Sequence, residues 1–302
     1  MFGASSPGLV RGLTFIALAA VSWGTTGAVT TVLVATAGTT PLVIGAMRLV
    51  LAALVLLAAA RVATGHFTVA RKHLGPCLAM GACMAGYQAS YFTAVTMSGI
   101  AVTALVAICS APLGIAALAA LLLGERLTAR VLIALALGVV GTACLIGGPR
   151  TAGDFSPRFV AGALLALAAG VAYAVYVVIA KASVVRTPAL PLAATTFTLG
   201  ALMLSPALAA GDAPWRQVLA GWPWLFYLGT VATGVAYALY TVGLRSVPAS
   251  VAGIVSLLEP LTATLLGVVV FGERLGALGV AGAVLMFGAI ALLVTAPPSS
   301  GD

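Results

Sequence analysis

The hydrophobic positions along this chain form long runs rather than alternations or narrow stripes. An α-helix needs about 20 apolar residues to cross a bilayer core of about 30 Å. Runs of that length recur from end to end and predict ten helices, near 11–36, 40–60, 74–97, 100–123, 128–147, 158–181, 189–210, 222–244, 248–271 and 276–295. Polar and charged residues gather in the short segments between them. The first run is too long for a cleavable signal, and nine more follow it. The expected fold is an all-α membrane protein with almost nothing left over for a soluble domain.

Composition sharpens that reading. The 302 residues are 62% hydrophobic and 7% charged, with mean hydropathy +1.20, against roughly half apolar and a quarter charged in a soluble domain. A net charge of +8 does not point to nucleic acid, because its placement has another cause. With the N-terminus inside, inner loops and helix ends hold Arg11, Arg61, Arg71, Lys72, Arg126, Arg130, Lys181, Arg186 and Arg245; outer ones hold Arg150, Arg158, Arg216 and Arg274. Nine against four is the positive-inside bias, and it places both termini on the cytoplasmic side. The partner implied is the lipid bilayer. Cys77, Cys83, Cys109 and Cys144 lie inside proposed spans with no metal-ligand spacing, so neither a metal nor a cofactor is expected.

The halves of the chain echo one another. Pro112 and Pro260, the tetrapeptides Gly124-Glu125-Arg126-Leu127 and Gly272-Glu273-Arg274-Leu275, and Phe92 and Tyr240 all stand 148 positions apart. Each repeat then holds five helices, and an odd number inverts the second copy in the membrane. The charges agree, since the first Gly-Glu-Arg-Leu segment falls inside and the second outside. The expected organisation is ten transmembrane helices as two inverted five-helix repeats, 1–147 and 158–302, joined by an outer linker at 148–157. Secondary transporters use inverted repeats, with substrate held near the midplane between rocking parts.

Two ionisable residues fall inside proposed spans. Glu259 lies about 11 residues into the ninth, near mid-depth at 1.5 Å per residue, where a charge must face a cavity or a partner or else be protonated. Pro260 follows it, removes a backbone hydrogen bond and leaves a carbonyl one turn back without its donor. Glu259 is a candidate proton carrier, a candidate site for a substrate amine, or a structural carboxyl bonded to a neighbouring helix. Arg48, about eight residues into the second span, has three options: to snorkel outward, to pair with Glu259, or to meet a substrate carboxylate.

Trp and Tyr normally gather at membrane surfaces, yet Trp23, Tyr87, Tyr173 and Tyr237 each lie about 12 to 16 residues into a span, near the midplane. Tyr91, Tyr176 and Tyr240 follow three or four residues after a partner and share its helix face. Gln88, Ser110, Ser256, Thr26, Thr30 and Ser90 add hydrogen-bonding groups. Such a lining suits a ligand with an apolar side chain, or a cation against ring faces. Ordinary helix packing is the plainer reading of any one of these residues. Trp215, Trp222, Trp224 and Tyr227 read as interface anchors. Helices five and ten carry small residues at close-packing spacing, Ala134/Gly138/Thr142 and Gly279/Ala283, and are expected at the periphery, against the bundle or a second subunit.

Catalysis fits poorly. His66 and His73 sit in or beside an inner loop without a carboxylate cluster, and no ring of charges suggests a channel filter.

The ten helices, the repeated Pro-x12-Glu spacing closed by Gly-Glu-Arg-Leu, Ser22-Trp23-Gly24 and Glu259-Pro260 resemble the EamA-type branch of the drug/metabolite transporter superfamily. The resemblance covers nearly the whole chain. It implies a carrier of the bacterial inner membrane, not an enzyme, with a cavity from helices one, three, four, six, eight and nine. Ala111 stands where the second repeat has Glu259, so any coupling would be asymmetric. Within the superfamily, exporters of aromatic amino acids fit best; some of these also pass the bicationic herbicide paraquat. The expected substrate site is Trp23, Tyr87, Gln88, Tyr91, Ser110, Tyr173, Tyr176, Tyr237, Tyr240, Ser256 and Glu259. An amino acid is the expected substrate, a multidrug or organic-cation substrate the alternative. Proton coupling is left open, and the assembly is a monomer or a weak dimer.

Overall fold

The computed structural model describes residues 7–67, 69–146, 156–209, 213–272 and 276–294. Most of the expected linker, and Glu273 to Leu275, lie outside them. Every regular element among the described residues is helical: α1 Pro7–Ala37, α2 Pro41–Thr64, α3 Leu74–Ser98, α4 Ile100–Leu123, α5 Ala129–Ile146, α6 Pro157–Val184, α7 Ala189–Leu204, α8 Pro214–Ala220, α9 Trp222–Gly229, α10 Ala236–Gly243, α11 Ala249–Val255, α12 Leu258–Phe271 and α13 Ala277–Val294.

Among the described residues, seven helical stretches are long and apolar enough to cross a membrane: Pro7–Ala37, Pro41–Thr64, Val102–Leu123, Ala129–Ile146, Pro157–Val184, Trp222–Gly243 and Ala249–Val270. Long aliphatic side chains cover the outside, among them Leu54, Leu121 and Val269. Lipid offers no hydrogen bonds, so the helices must satisfy their own backbone groups. Local signals set the helix ends. Proline opens α2 and α6, and Ser156 Oγ caps α6 by accepting from Phe159 N at 3.2 Å. Both tetrapeptides begin with glycine because Gly124 and Gly272 end α4 and α12 at φ +67, a left-handed conformation that a side chain disfavours.

Small residues bring the helices together. α5 lies along α13, where a Cβ on Gly141 would come 2.8 Å from the Gly282 carbonyl and one on Gly282 would come 2.6 Å from that of Gly141. The two expected peripheral helices thus meet through Gly141 and Gly282; of the expected small positions Thr142 reaches Met286 of α13, whereas Gly138 packs chiefly against Leu257. α3 meets α7 at Gly81 and Gly200, and α1 meets α10 at Gly12 and Gly243. α3 and α4 both pack extensively on α6, and α2 packs on α7.

The expected helix 189–210 ends early, at Leu204, and passes into a 3₁₀ turn at Ser205–Leu208. The expected helix 222–244 is a rod of α9, a π turn at Thr230–Val235, and α10. In that turn Thr233 Oγ1 donates to the Leu228 carbonyl, five residues back, at 2.7 Å. The expected helix 248–271 breaks at Ser256–Leu257 into α11 and α12. The Ser256 carbonyl, which Pro260 cannot serve, accepts instead from Glu259 N at 3.0 Å. The backbone there tightens, so the carbonyl that the proline was expected to leave without its donor has one. Pro112, by contrast, lies within an unbroken α4.

Candidate functional site

Four elements deliver aromatic rings to one place. Trp23 of α1 lies 4.9 Å from Tyr237 and 5.2 Å from Tyr240 of α10, and 6.3 Å edge-on from Tyr173 of α6, centroid to centroid. Tyr173 lies 5.8 Å from Tyr87 of α3 and 6.0 Å from Tyr176, and Tyr87 lies 5.7 Å from Tyr91. These are favourable ring-pair distances. The seven expected aromatics therefore form one cluster. Sequence reasoning missed an eighth ring, Phe197 of α7, 4.7 Å from Tyr237; one Phe in an apolar helix carried no signal.

The cluster keeps polar atoms without partners. The Trp23 indole N–H and the Tyr173 and Tyr240 hydroxyls are buried and unbonded among the described residues. The Tyr240 hydroxyl sits beside those of Tyr173 and Ser256, outside bonding geometry to Tyr173. Ser22, Thr26 and Thr30, one turn apart on α1, also bury unbonded hydroxyls, whereas Thr14, Thr31 and Thr36 of the same helix donate to the carbonyl four residues back. Buried polar atoms are nearly always bonded, so this concentration makes the cluster the candidate place for a polar ligand.

Glu259 joins from the ninth expected span. Gly24 lets α1 approach it: a Cβ there would lie 2.6 Å from the Glu259 carbonyl and 2.5 Å from Thr262 Cβ. This contact is a physical reason for glycine in Ser22-Trp23-Gly24. The half-buried Glu259 carboxylate has no hydrogen bond or ion pair among the described residues. Arg48 does not snorkel. It is 8% exposed and its Nε donates to Thr233 Oγ1 at 3.1 Å. Arg48 and Glu259 are close enough for their charges to act on each other, yet form no ion pair.

Of the other expected residues, Gln88 and Ser110 occupy different surroundings, whereas Ser256 borders the cluster at Tyr240. Gln88 is buried against Gly45 of α2 with its Oε1 unbonded. Ser110 donates to the Ala107 carbonyl at 3.2 Å and faces Gly170 at the α4–α6 crossing. Ser256 donates to the Ala252 carbonyl at 2.9 Å, at the break before Glu259. Of the expected interface anchors, Trp215, Trp222 and Trp224 are exposed, whereas the Tyr227 hydroxyl bonds Thr25 Oγ1 at 2.9 Å.

A second polar cluster ties the α10–α11 turn to distant segments. Glu125 caps the start of α11, accepting from Ala249 N at 2.6 Å and from Ser250 N and Oγ at 3.0 and 2.7 Å. Lys181 Nζ donates to the carbonyls of Leu244 and Val247 at 2.7 and 2.8 Å. The repeated tetrapeptide flagged Glu125, but its partners lie more than a hundred residues away. A shallow depression lined by Val185, Arg186, Thr187, Pro188 and Arg245 includes none of the expected site residues.

A membrane-spanning helical bundle whose buried interior gathers aromatic rings, unbonded hydroxyls and a free carboxylate has the makings of a small-molecule carrier. Known proteins agree. The chain matches the EamA-like transporter family over residues 10–147 and again over 160–295, and it belongs to that family. It is 36% identical over 285 residues to the uncharacterized transporter YwfM of Bacillus subtilis (strain 168), covering 94% of this chain and 93% of that one. It is 32% identical over 211 residues to the aromatic amino acid exporter YddG of Ancylobacter novellus, covering 68% of this chain and 70% of the exporter. A solved crystal structure superposes with a TM-score of 0.80 at 26% identity, covering 96% of this chain and 97% of its own.

Proposed function

We propose that this chain is a secondary transporter that exports amino acids, aromatic and other apolar ones favoured, across a bacterial inner membrane by alternating access. The observation that carries the reading is the convergence of Trp23, Tyr87, Tyr91, Tyr173, Tyr176, Tyr237 and Tyr240 around unbonded polar atoms and Glu259. Such a lining accepts an apolar or aromatic side chain and leaves polar contacts for a zwitterion. The relative named an aromatic amino acid exporter points the same way.

The architecture proposed for it is ten transmembrane helices in two inverted five-helix repeats, with both termini cytoplasmic. The twofold family match supports this, as do paired contacts. Gly12 meets Ser246 and Val247 as Gly162 meets Met97 and Ser98, and Gly24 meets Thr262 as Ala174 meets Gly114. In that orientation Glu125 and Lys181 draw the cytoplasmic ends of the helices together, and the Thr26 and Thr30 hydroxyls lie outward of Trp23.

Counterflow tests the reading. Proteoliposomes loaded with unlabelled phenylalanine are given a trace of labelled phenylalanine outside, with and without a pH gradient. Accumulation above empty vesicles is expected; its absence refutes an amino-acid carrier. Indifference to the gradient argues against proton coupling through Glu259.

A second reading, efflux of organic cations, is favoured by one observation, the aromatic cluster beside an unpaired carboxylate. Glu259→Gln separates the two: it abolishes cation transport and spares a zwitterion in greater part.

A further inference from the structure

Arg48, 8% exposed, is the one charged side chain that is buried among the described residues. A guanidinium stays protonated at any depth, and a buried charge is stable only with an opposite charge and hydrogen bonds around it. Arg48 has neither in full. Its Nε–H is bonded to Thr233, a neutral residue whose own hydroxyl proton goes to the Leu228 carbonyl. Among the described residues no carboxylate lies within ion-pair distance and the two terminal amino groups have no partner.

The backbone places this fork beside the aromatic cluster. Gly45, three residues before Arg48 and on the same face of α2, packs against Phe92 and Gln88 of α3. Those residues neighbour Tyr91 and Tyr87 in sequence. Thr233 precedes Tyr237 by one turn of the α9–α10 rod, and Tyr237 packs on Trp23. The charge of Arg48 accordingly acts on Tyr87, Tyr91, Tyr237 and Glu259. The π turn has a specific effect here. Because Thr233 gives its proton to the carbonyl five residues back, its lone pairs are left to receive Arg48, which fixes the plane of the guanidinium.

We infer that Arg48 is the subsite for the substrate's carboxylate, held by Thr233 with its terminal amino groups presented as a planar fork to two carboxylate oxygens. Glu259, the other unpaired charge near the cluster among the described residues, lies to the ammonium side, but the Arg48 fork is the main hold on a zwitterion. The inference rests on the amino-acid reading above and narrows it: the substrate carries a free carboxylate, and its amides, esters and simple amines are poor ligands. It disfavours organic cations, which would meet a fixed positive charge.

The test is competition for labelled L-phenylalanine on the purified protein in nanodiscs, with L-phenylalanine, L-phenylalaninamide and phenethylamine as competitors. The acid is expected to compete about 10- to 100-fold better than the amide, the discrimination a charge-assisted bidentate contact supplies. Arg48→Gln should collapse that ratio to about twofold, and Arg48→Lys, which keeps charge but not the fork, should leave it in between. If Arg48→Gln does not fold, the acid-to-amide ratio on the unaltered protein and on Thr233→Val still decides. Amide and acid competing equally overturns the carboxylate subsite while leaving the amino-acid reading standing. No saturable binding of labelled L-phenylalanine, with labelled phenethylamine binding in its place, overturns both.

Discussion

Gly24→Ala probes whether the approach of α1 to α12 sets the site. The new methyl would lie 2.5 Å from Thr262 Cβ and 2.6 Å from the Glu259 carbonyl, about 1 Å inside ordinary contact. The carbonyl is backbone and cannot swing aside, so the helices must part. Overpacking of this kind costs about 1–3 kcal/mol, offset by about 0.8–1 kcal/mol for alanine over glycine in a helix. Gly27→Ala, one turn along α1, supplies the control. A Cβ there meets nothing within 4 Å, so that variant takes the propensity gain without the clash. The difference between the two isolates the clash at about 1–3 kcal/mol. It is read as melting temperature in detergent, where each kcal/mol is worth about 2–4 °C for chains slightly shorter than this one. Counterflow on the same preparations should fall for Gly24→Ala and hold for Gly27→Ala, since only the first moves Trp23 relative to Glu259. Equal melting temperatures and equal transport would refute this account of the glycine.

Gly282→Ala on α13 repeats the logic where α5 and α13 meet, with Gly288→Ala as its open-space control; it should melt several degrees lower yet retain substrate affinity, because that contact is remote from the aromatic cluster. Glu125→Ala removes three hydrogen bonds at the start of α11 and should lose about 1–2 kcal/mol, with Glu125→Gln recovering part of it; a melting temperature unchanged in Glu125→Ala would show that the cap contributes nothing. Lys181→Met leaves the Leu244 and Val247 carbonyls without their donor and should raise amide hydrogen exchange across residues 244–250 while leaving α2 and α7 unchanged.

The chain alone marked most of its long apolar helices, because bilayer thickness converts apolar run length directly into a span; α7 still stops short at Leu204 and the run 248–271 breaks at Ser256–Leu257. It also carried the aromatic set. Depth follows from counting residues along a helix, and rings displaced from the membrane surface are conspicuous at Trp23, Tyr87, Tyr173 and Tyr237. What the tertiary structure decided were matters of partnership. Whether Arg48 snorkels or stays inside depends on Thr233, and Thr233 is placed by a π turn that no local pattern announced. Whether Pro260 leaves a free carbonyl depends on how the backbone tightens, and it does so at Ser256–Leu257 while α4 runs straight through Pro112. Glu125 was visible as part of a repeated tetrapeptide, but its task came from Ala249 and Ser250, and the small faces of α5 and α13 named no partner until they met. Run length and helix depth are local quantities that one segment fixes for itself, whereas a hydrogen bond or a close helix contact belongs to two segments and exists only once the fold has brought them together.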